Sequence, residues 1–557
     1  MKNSNHLLAL FLVSIVSLSM QAQTPTIGLL SYQPWATFEG YNLHFPHNQG
    51  NVWLLDNCGQ IVHVWEDLNY KPGNGVYLTE DGKLYVAKGL SAISNPDLHA
   101  GGGGEKIEIR SWDNTLEWEW TLNTTTERLH HDIAVMPNGN ILAIAWEVKD
   151  SLEAIQAGRN PLLIQESELW PDQILEIEPV GSDEANIVWE WHAWDHLIQD
   201  FDPTKDNFGV IADNPRKLNI NMDEGGGRAD WMHANSIDYN PDLDQIILSV
   251  PFFDEVYIID HSTTTAQAAG STGGLSGHGG DLLWRWGNPA NYGQGDTTDQ
   301  KLFFNHDSHW TRLGMTSSSP DWNKIAVFNN KAGADFSTVH LLSPTFDSYE
   351  WEYPLDGDVF GPVDFSWSYQ RPTPQDLYSS GLSSIQRLPN GNTLICAGRF
   401  GYSFEIDDAE EIVWEYRNPL QGGNPVDQGT TLAMNDNLQF RMTRYPSDFA
   451  AFDGRDLTPL GYIELNPTTD CEALTGIEDL HAFEASSIAP NPASGRTVLN
   501  LIGLEAGTPV EVIDLNGRRV WAEKWTGNPR ILDLSSWTPG IYLIKVEGMA
   551  AGKLLVQ

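Results

Sequence analysis

The stretch "LHHDIAVMPNGNILAIAWE", Leu129 to Glu147, sets two adjacent histidines directly before an apolar, strand-like run that "PNGN" interrupts. "PNGN" is a tight-turn signal, with Gly139 supplying a positive backbone angle, so the stretch reads as two antiparallel strands joined by a hairpin. Similar pairs recur along the chain. They are "NGVYLTEDGKLYVAKG", "HANSIDYNPDLDQIILSV", "HDSHWTRL" with "NKIAVFNN", and "SSIQRLPNGNTLICAG", with a weaker copy near "FRMTRYPSDFAAFDG".

A second phrase alternates with these hairpins. The chain holds 22 tryptophans, and many fall in "IVHVWE" (Trp65), "LEWEW" (Trp118, Trp120), "IVWEW" (Trp189, Trp191), "LLWRW" (Trp284, Trp286), "YEWEY" (Trp351) and "IVWEY" (Trp414). Each alternates apolar and polar residues with period two, as a half-buried strand does. Hairpin plus Trp-rich phrase, repeated six times, predicts an all-β chain folded as a six-bladed β-propeller over residues 23–480. Each Trp phrase should be the third or fourth strand of its blade, and the N-terminal strands should help close the ring. The units exceed the roughly 40–45 residues of a WD40 blade, so long loops such as Lys149–Asp172 and Ser262–Gly280 take up the difference.

Composition narrows the function. With 75 Asp+Glu against 32 Lys+Arg the formal charge is −43, which excludes nucleic acid as a partner because phosphate binding needs a basic footprint. An anionic substrate would need a locally positive site. The opening "MKNSNHLLALFLVSIVSLSMQAQ" has the layout of a secretory signal peptide, residues 1–22, and no other apolar stretch is long enough for a transmembrane segment. Cys58, Cys396 and Cys471 allow at most one disulfide, without indicating which. The run "GGGGEK", Gly101 to Lys106, lacks the Gly-Lys-Ser/Thr ending of a phosphate loop and reads as a plain loop.

The last residues, 487–557, carry short alternating strands with "NG" and "PG" turns, the pattern of a small C-terminal β-sandwich. "PNP" at Pro490, "VIDLNGRRV" and "LSSWTPGIYLIKV" resemble the C-terminal sorting domain of the type IX secretion system. That resemblance implies handling by the type IX machinery, a secreted or cell-surface location, and removal of the tail after export.

The histidines gain meaning from the repeat. Alignment on "PNGN" puts His131 opposite Ser383, and the counterparts in the third and fourth hairpin phrases are His233 and His306, with His309 nearby. The innermost strand of a propeller blade lines the central channel, so residues at its start gather at one mouth. A lone histidine there would be bonding loop backbone. Three at equivalent positions point either to a three-histidine metal site or to nucleophilic and acid–base work.

"LHHDIAVMPNGNIL", "DWMHANSIDYN", "FFNHDSHW" and "SSIQRLPNGNTLI…FEI…IVWEY" together resemble the bacterial arylsulfate sulfotransferase family, over most of Trp53–Asn466. The resemblance implies a secreted propeller that moves a sulfuryl group from a small aryl sulfate to a phenolic acceptor through a histidine intermediate. It implies no nucleotide sulfate donor, and no cofactor is assigned. His233 matches the family's "H-x-NS" phrase and His306 its "QHDA" phrase, here "NHDS". With His131 they are the expected catalytic residues, and His130, His309, Lys331 and Arg399 are expected around the substrate. Two departures stand out. The family's "DNG" phrase, followed by an active-site arginine, reads "FNNKAGAD" here, making Lys331 the nearest cation, and Ser383 and Ser384 occupy the fifth hairpin where a histidine nucleophile would be expected. The alternative reading is a non-catalytic surface propeller that binds a glycan or phenolic ligand through an aromatic-rich mouth.

Overall fold

The computed structural model describes residues 25–557 except 68, 90–94, 96, 99, 225, 468–470, 472–486, 502–503, 505, 515–517 and 547–548. Residues 1–22, expected to be a signal peptide, lie outside the described residues. Strands between Gly28 and Pro446 form six antiparallel sheets of four or five strands, each built by up-and-down hairpins. The first strands of successive sheets pack against one another, which is the layout of a propeller.

The ring is closed by strands from both ends of the chain. Met442–Pro446 pairs with Gly40–His44 and becomes the inner strand of the first blade. Gly28–Tyr32 pairs with Ile412–Arg417 and adds a fifth, outer strand to the last blade. The cysteine pair left open by the sequence is Cys58–Cys471, and Cys396 is free and buried.

The Trp phrases are outer strands, and their indoles explain the repetition. Trp65 donates its Nε1–H to the Ser111 carbonyl, Trp118 to Glu184, Trp191 to Gly280, Trp284 to Gly361, and Trp414 to Asn57. Each acceptor belongs to the next blade around the ring. A buried indole needs a partner for its polar tip, and here the partner is always the neighbour. "YEWEY" departs from the expectation. Trp351 lies in a turn at φ 58°, its Nε1 is buried without a partner, and the outer strand of that blade is Trp367–Tyr369. A long insertion between the third and fourth strands of this blade pulls the phrase out of the sheet, overriding its local strand pattern.

A buried ion cluster plugs the channel. Arg441, directly before the ring-closing strand, donates from Nη2 to Asp132 Oδ2 at 2.9 Å and from Nε to Asp307 Oδ1 at 2.6 Å, and also bonds Tyr77 Oη. Asp132 and Asp307 each directly follow a mouth histidine, so the cluster fixes two inner strands relative to each other.

The tail forms a three-stranded and a four-stranded sheet around one apolar core that includes Leu499, Val512, Trp525 and Ile544. Among the described residues no helix is long and apolar enough to cross a membrane.

Histidines also set the pH range of stability. His261 joins two blades, meeting Asp244 Oδ1 at 2.6 Å and Glu176 Oε2 at 3.1 Å. Burial opposes its charge, but the two carboxylates prevail and raise its pKa to about 9. Because that lies above the unfolded value, its contribution, on the order of 2–3 kcal/mol, is complete below pH ~6.5 and lost as the pH rises through 9. His44 and His340 behave oppositely, since burial lowers both to about 3. Their contribution is complete above pH ~6.5 and lost as the pH falls toward 3. Urea midpoints measured from pH 4 to 10 should peak near pH ~6–7, and His261→Gln should flatten the alkaline side.

Candidate functional site

Three histidines gather at one end of the channel: His131 within Glu127–Val135, His233 just before Ser236–Asn240, and His306 near the start of Asn305–Trp310. His131 and His233 hold the unusual φ values of 53° and 56°, and Ser383, the counterpart in the last blade, sits at 90°. Positive φ is uncommon for non-glycine residues and clusters where surrounding structure enforces it. The shared backbone kink places these side chains at equivalent points around the mouth. A cavity of about 320 Å³ is lined by His131, His233, His306, Arg399, Phe304 and Phe440. The His131 and His233 rings lie 4.5 Å apart, edge to face.

The three imidazoles are held in different states. His306 Nδ1 lies 2.8 Å from Asn330 Oδ1 and 3.1 Å from the Phe304 carbonyl. Asn330 Nδ2 donates to the Ser379 and Leu382 carbonyls, which fixes its Oδ1 toward the histidine. Both neighbours of Nδ1 are therefore acceptors, so the proton is on Nδ1 and the Nε2 lone pair is free. Burial lowers the His306 pKa to about 3, so the ring is neutral at any ordinary pH.

His233 is the opposite case. Its Nδ1 meets Asp230 Oδ2 at 2.5 Å, and its ring stacks on Phe252 at 4.6 Å. Burial disfavours the imidazolium, but the Asp230 carboxylate outweighs it and raises the pKa above the ordinary value. His131 is neutral: burial, then the nearby His233 and His130, push its pKa well down.

His130 lies behind the mouth, fully buried and stacked on Trp146 at 4.0 Å, with Nδ1 2.7 Å from Nδ1 of His131. Arg399 reaches the cavity, and its Nη1 donates to Asn435 Oδ1 at 3.2 Å. Lys331 lines an adjoining hollow of about 960 Å³ that also exposes His233, Phe252 and Phe304, and its Nζ lies 3.7 Å from the Phe304 ring centre.

His309 is not part of this group. It lines a separate cavity of about 310 Å³ formed by the other ends of the inner strands, beyond the Arg441 cluster. Three residues along a strand cover roughly 10 Å, and a register shift between His306 and His309 turns the second ring away. Among the described residues, no histidine or cysteine lines the cleft of about 400 Å³ beside Trp286, Lys301 and Phe360.

Several site residues gave no sequence signal. Asp230, Asn330 and Asp172 reach the histidines from loops and neighbouring strands, and no spacing rule pairs them. The Gly-rich run, read as a plain loop, covers the site. The Gly102 carbonyl accepts the His131 N–H at 2.8 Å, and a Cβ at Gly102, where φ is +80°, would lie 2.1 Å from the His131 ring. Only glycine fits there. Among the described residues no group of three or more His, Cys, Asp or Glu has the geometry to hold a metal ion.

Solved structures of similar topology include a protein of unknown function from Bacteroides caccae, at 11% identity and TM-score 0.36, covering 68% of this chain and 93% of the other. The periplasmic gluconolactonase of Pseudomonas aeruginosa matches at 9% identity and TM-score 0.34, covering 73% and 99%. Virginiamycin B lyase from Staphylococcus aureus matches at 12% and 0.29, covering 67% and 84%. These values are too low to bear on chemistry. No curated protein matches the chain. Family models do match: the secretion system C-terminal sorting domain over residues 487–557, and arylsulfotransferase (ASST) over residues 27–434. With most of its length matched and its histidines gathered at one channel mouth, the chain belongs to the arylsulfotransferase (ASST) family.

Proposed function

We propose that this exported protein transfers a sulfuryl group from an aryl sulfate to a phenolic acceptor, with His306 as the covalent carrier. The observation that carries this reading is the contrast between His306, neutral with a free Nε2, and His233, whose imidazolium the Asp230 carboxylate favours. His306 Nε2 attacks sulfur, the S–O bond to the aryl group breaks, and the sulfuryl group remains on the ring. Asn330 Oδ1 supports the positive charge that the ring gains, through the Nδ1–H it already accepts. His233 and Arg399 supply fixed positive donors to the sulfuryl oxygens, which a strongly acidic protein needs if it is to bind an anion. A phenol oxygen then attacks sulfur and the N–S bond breaks, restoring His306.

Ser383 favours a second reading, because the family resemblance leads one to expect a histidine there. Its Oγ instead accepts the Gly398 N–H in a fully buried position. On that reading the mouth binds a phenolic or glycan ligand without turnover. The deciding experiment mixes the protein with nitrophenyl sulfate and a second phenol, without nucleotide. Release of nitrophenol, a sulfated second phenol and a trapped sulfuryl group on the His306 peptide are expected. The rate should fall at alkaline pH, as His233, whose pKa Asp230 raises, loses its proton. Ligand binding without phenol release would establish the second reading.

A further inference from the structure

We propose that Asp172, His130 and His131 form a proton relay running from the buried interior to the channel mouth, where it protonates the departing phenolate and later takes the acceptor's proton. The inference rests on the sulfuryl-transfer reading and supplies its missing acid–base step.

The relay is a line of contacts. His131 lines the cavity. Its Nδ1 lies 2.7 Å from Nδ1 of His130, a contact that two ring nitrogens share only when one carries a proton and the other a lone pair. His130 Nε2 faces Asp172 Oδ1 at 3.2 Å, and both side chains are wholly buried. Neither atom makes a hydrogen bond to any described residue, so the 3.2 Å approach is a close contact between two unsatisfied buried groups, each of which gains by bonding the other. Asp172 Oδ2 accepts the Ala234 N–H at 2.8 Å, tying the relay to the residue after His233. The other ionisable groups facing it are Arg128, ion-paired with Glu105, His233 on Asp230, and His306.

The arrangement removes a difficulty. A neutral His131 is useless as an acid on its own, since giving up its only N–H would leave an imidazolate. It can donate only if its second nitrogen receives a proton at the same moment, and His130 is positioned to provide one. Burial pushes the Asp172 carboxyl well above the usual carboxylate range and both imidazoles well below theirs, which favours the loaded relay, a protonated carboxyl beside two neutral rings.

As the S–O bond breaks, the departing oxygen takes Nε2–H of His131. His131 Nδ1 takes the Nδ1 proton of His130, and His130 Nε2 takes the carboxyl proton of Asp172, leaving a carboxylate. When the acceptor oxygen attacks sulfur, the same shifts run backwards and the acceptor's proton ends on Asp172. His131 is the catalytic residue of the three. His130 and Asp172 act through it.

The test exploits leaving-group acidity. A phenol of pKa about 10 must be protonated as it leaves, whereas a nitrophenol departs as the anion. In single-turnover phenol release, Asp172→Asn and His130→Phe should stay within about threefold of the unmodified enzyme on nitrophenyl sulfate and lose about 100-fold or more on phenyl sulfate. His130→Phe retains the stack on Trp146, so it keeps the packing while removing both nitrogens. In the unmodified enzyme, phenyl sulfate release plotted against the deuterium fraction of the solvent should bow downward, because several protons move together. Equal losses on both donors, no loss on either, or a straight solvent-isotope plot would overturn the relay while leaving sulfuryl transfer intact. If the unmodified protein released no phenol from either donor, the transfer reading itself would fail and the relay with it. Should both variants misfold, the isotope plot on the unmodified enzyme decides.

Discussion

His306→Ala should abolish sulfuryl transfer, lowering turnover by on the order of 10⁴-fold or more, while the protein stays folded. The size follows from the role, since a lost nucleophile removes the covalent route rather than weakening one interaction. The mild structural effect follows from the position. His306 makes hydrogen bonds only through Nδ1, to Asn330 and the Phe304 carbonyl, and it lies where water can enter to replace it, so about 1 kcal/mol is expected. His233→Ala should bind the donor poorly but still accept the sulfuryl group. Transfer at the normal rate by His306→Ala would move the nucleophile elsewhere, with His131 the next candidate.

The second large effect is on stability. Arg441→Met should destabilise the propeller by about 3–5 kcal/mol in urea unfolding, because it strands Asp132 and Asp307 as buried, unpaired carboxylates. Asp132→Asn and Asp307→Asn combined with Arg441→Met should recover most of the loss, since the three charges then leave together. A single Arg441→Met variant as stable as the parent would mean that water or another cation reaches the plug. Because Asp132 and Asp307 adjoin His131 and His306, the destabilised variant should also lose transfer beyond what its unfolded fraction explains.

The repeat was readable because propeller hairpins combine two strong local signals, a Gly-containing turn and period-two alternation. Aligning copies on the "PNGN" turns then put histidines at equivalent positions, which no single phrase could do. The failures have a common cause. "YEWEY" carries the local pattern, but a long insertion removes it from the sheet. His309 is close to His306 in sequence, yet a strand carries it past the Arg441 plug to the other cavity. Asp230, Asn330, Asp172 and Gly102 act on the histidines from other segments, so their partners are set by tertiary packing. Ser383 shows the same limit in reverse, since the repeat position persists while the residue there has changed.

The turn holding Asn57 and Cys58 fastens the seam of the ring twice. The Asn57 carbonyl receives the indole N–H of Trp414 from the last blade, and Cys58 is bonded to Cys471, beyond the ring-closing strand. The sorting domain begins at residue 487, further along still. Thiols stay reduced in the cytoplasm and oxidise in the envelope, so the latch closes only once the chain has crossed the inner membrane. After that, a cut between Cys471 and residue 487 would release the sorting domain and leave the Cys58–Cys471 latch in place.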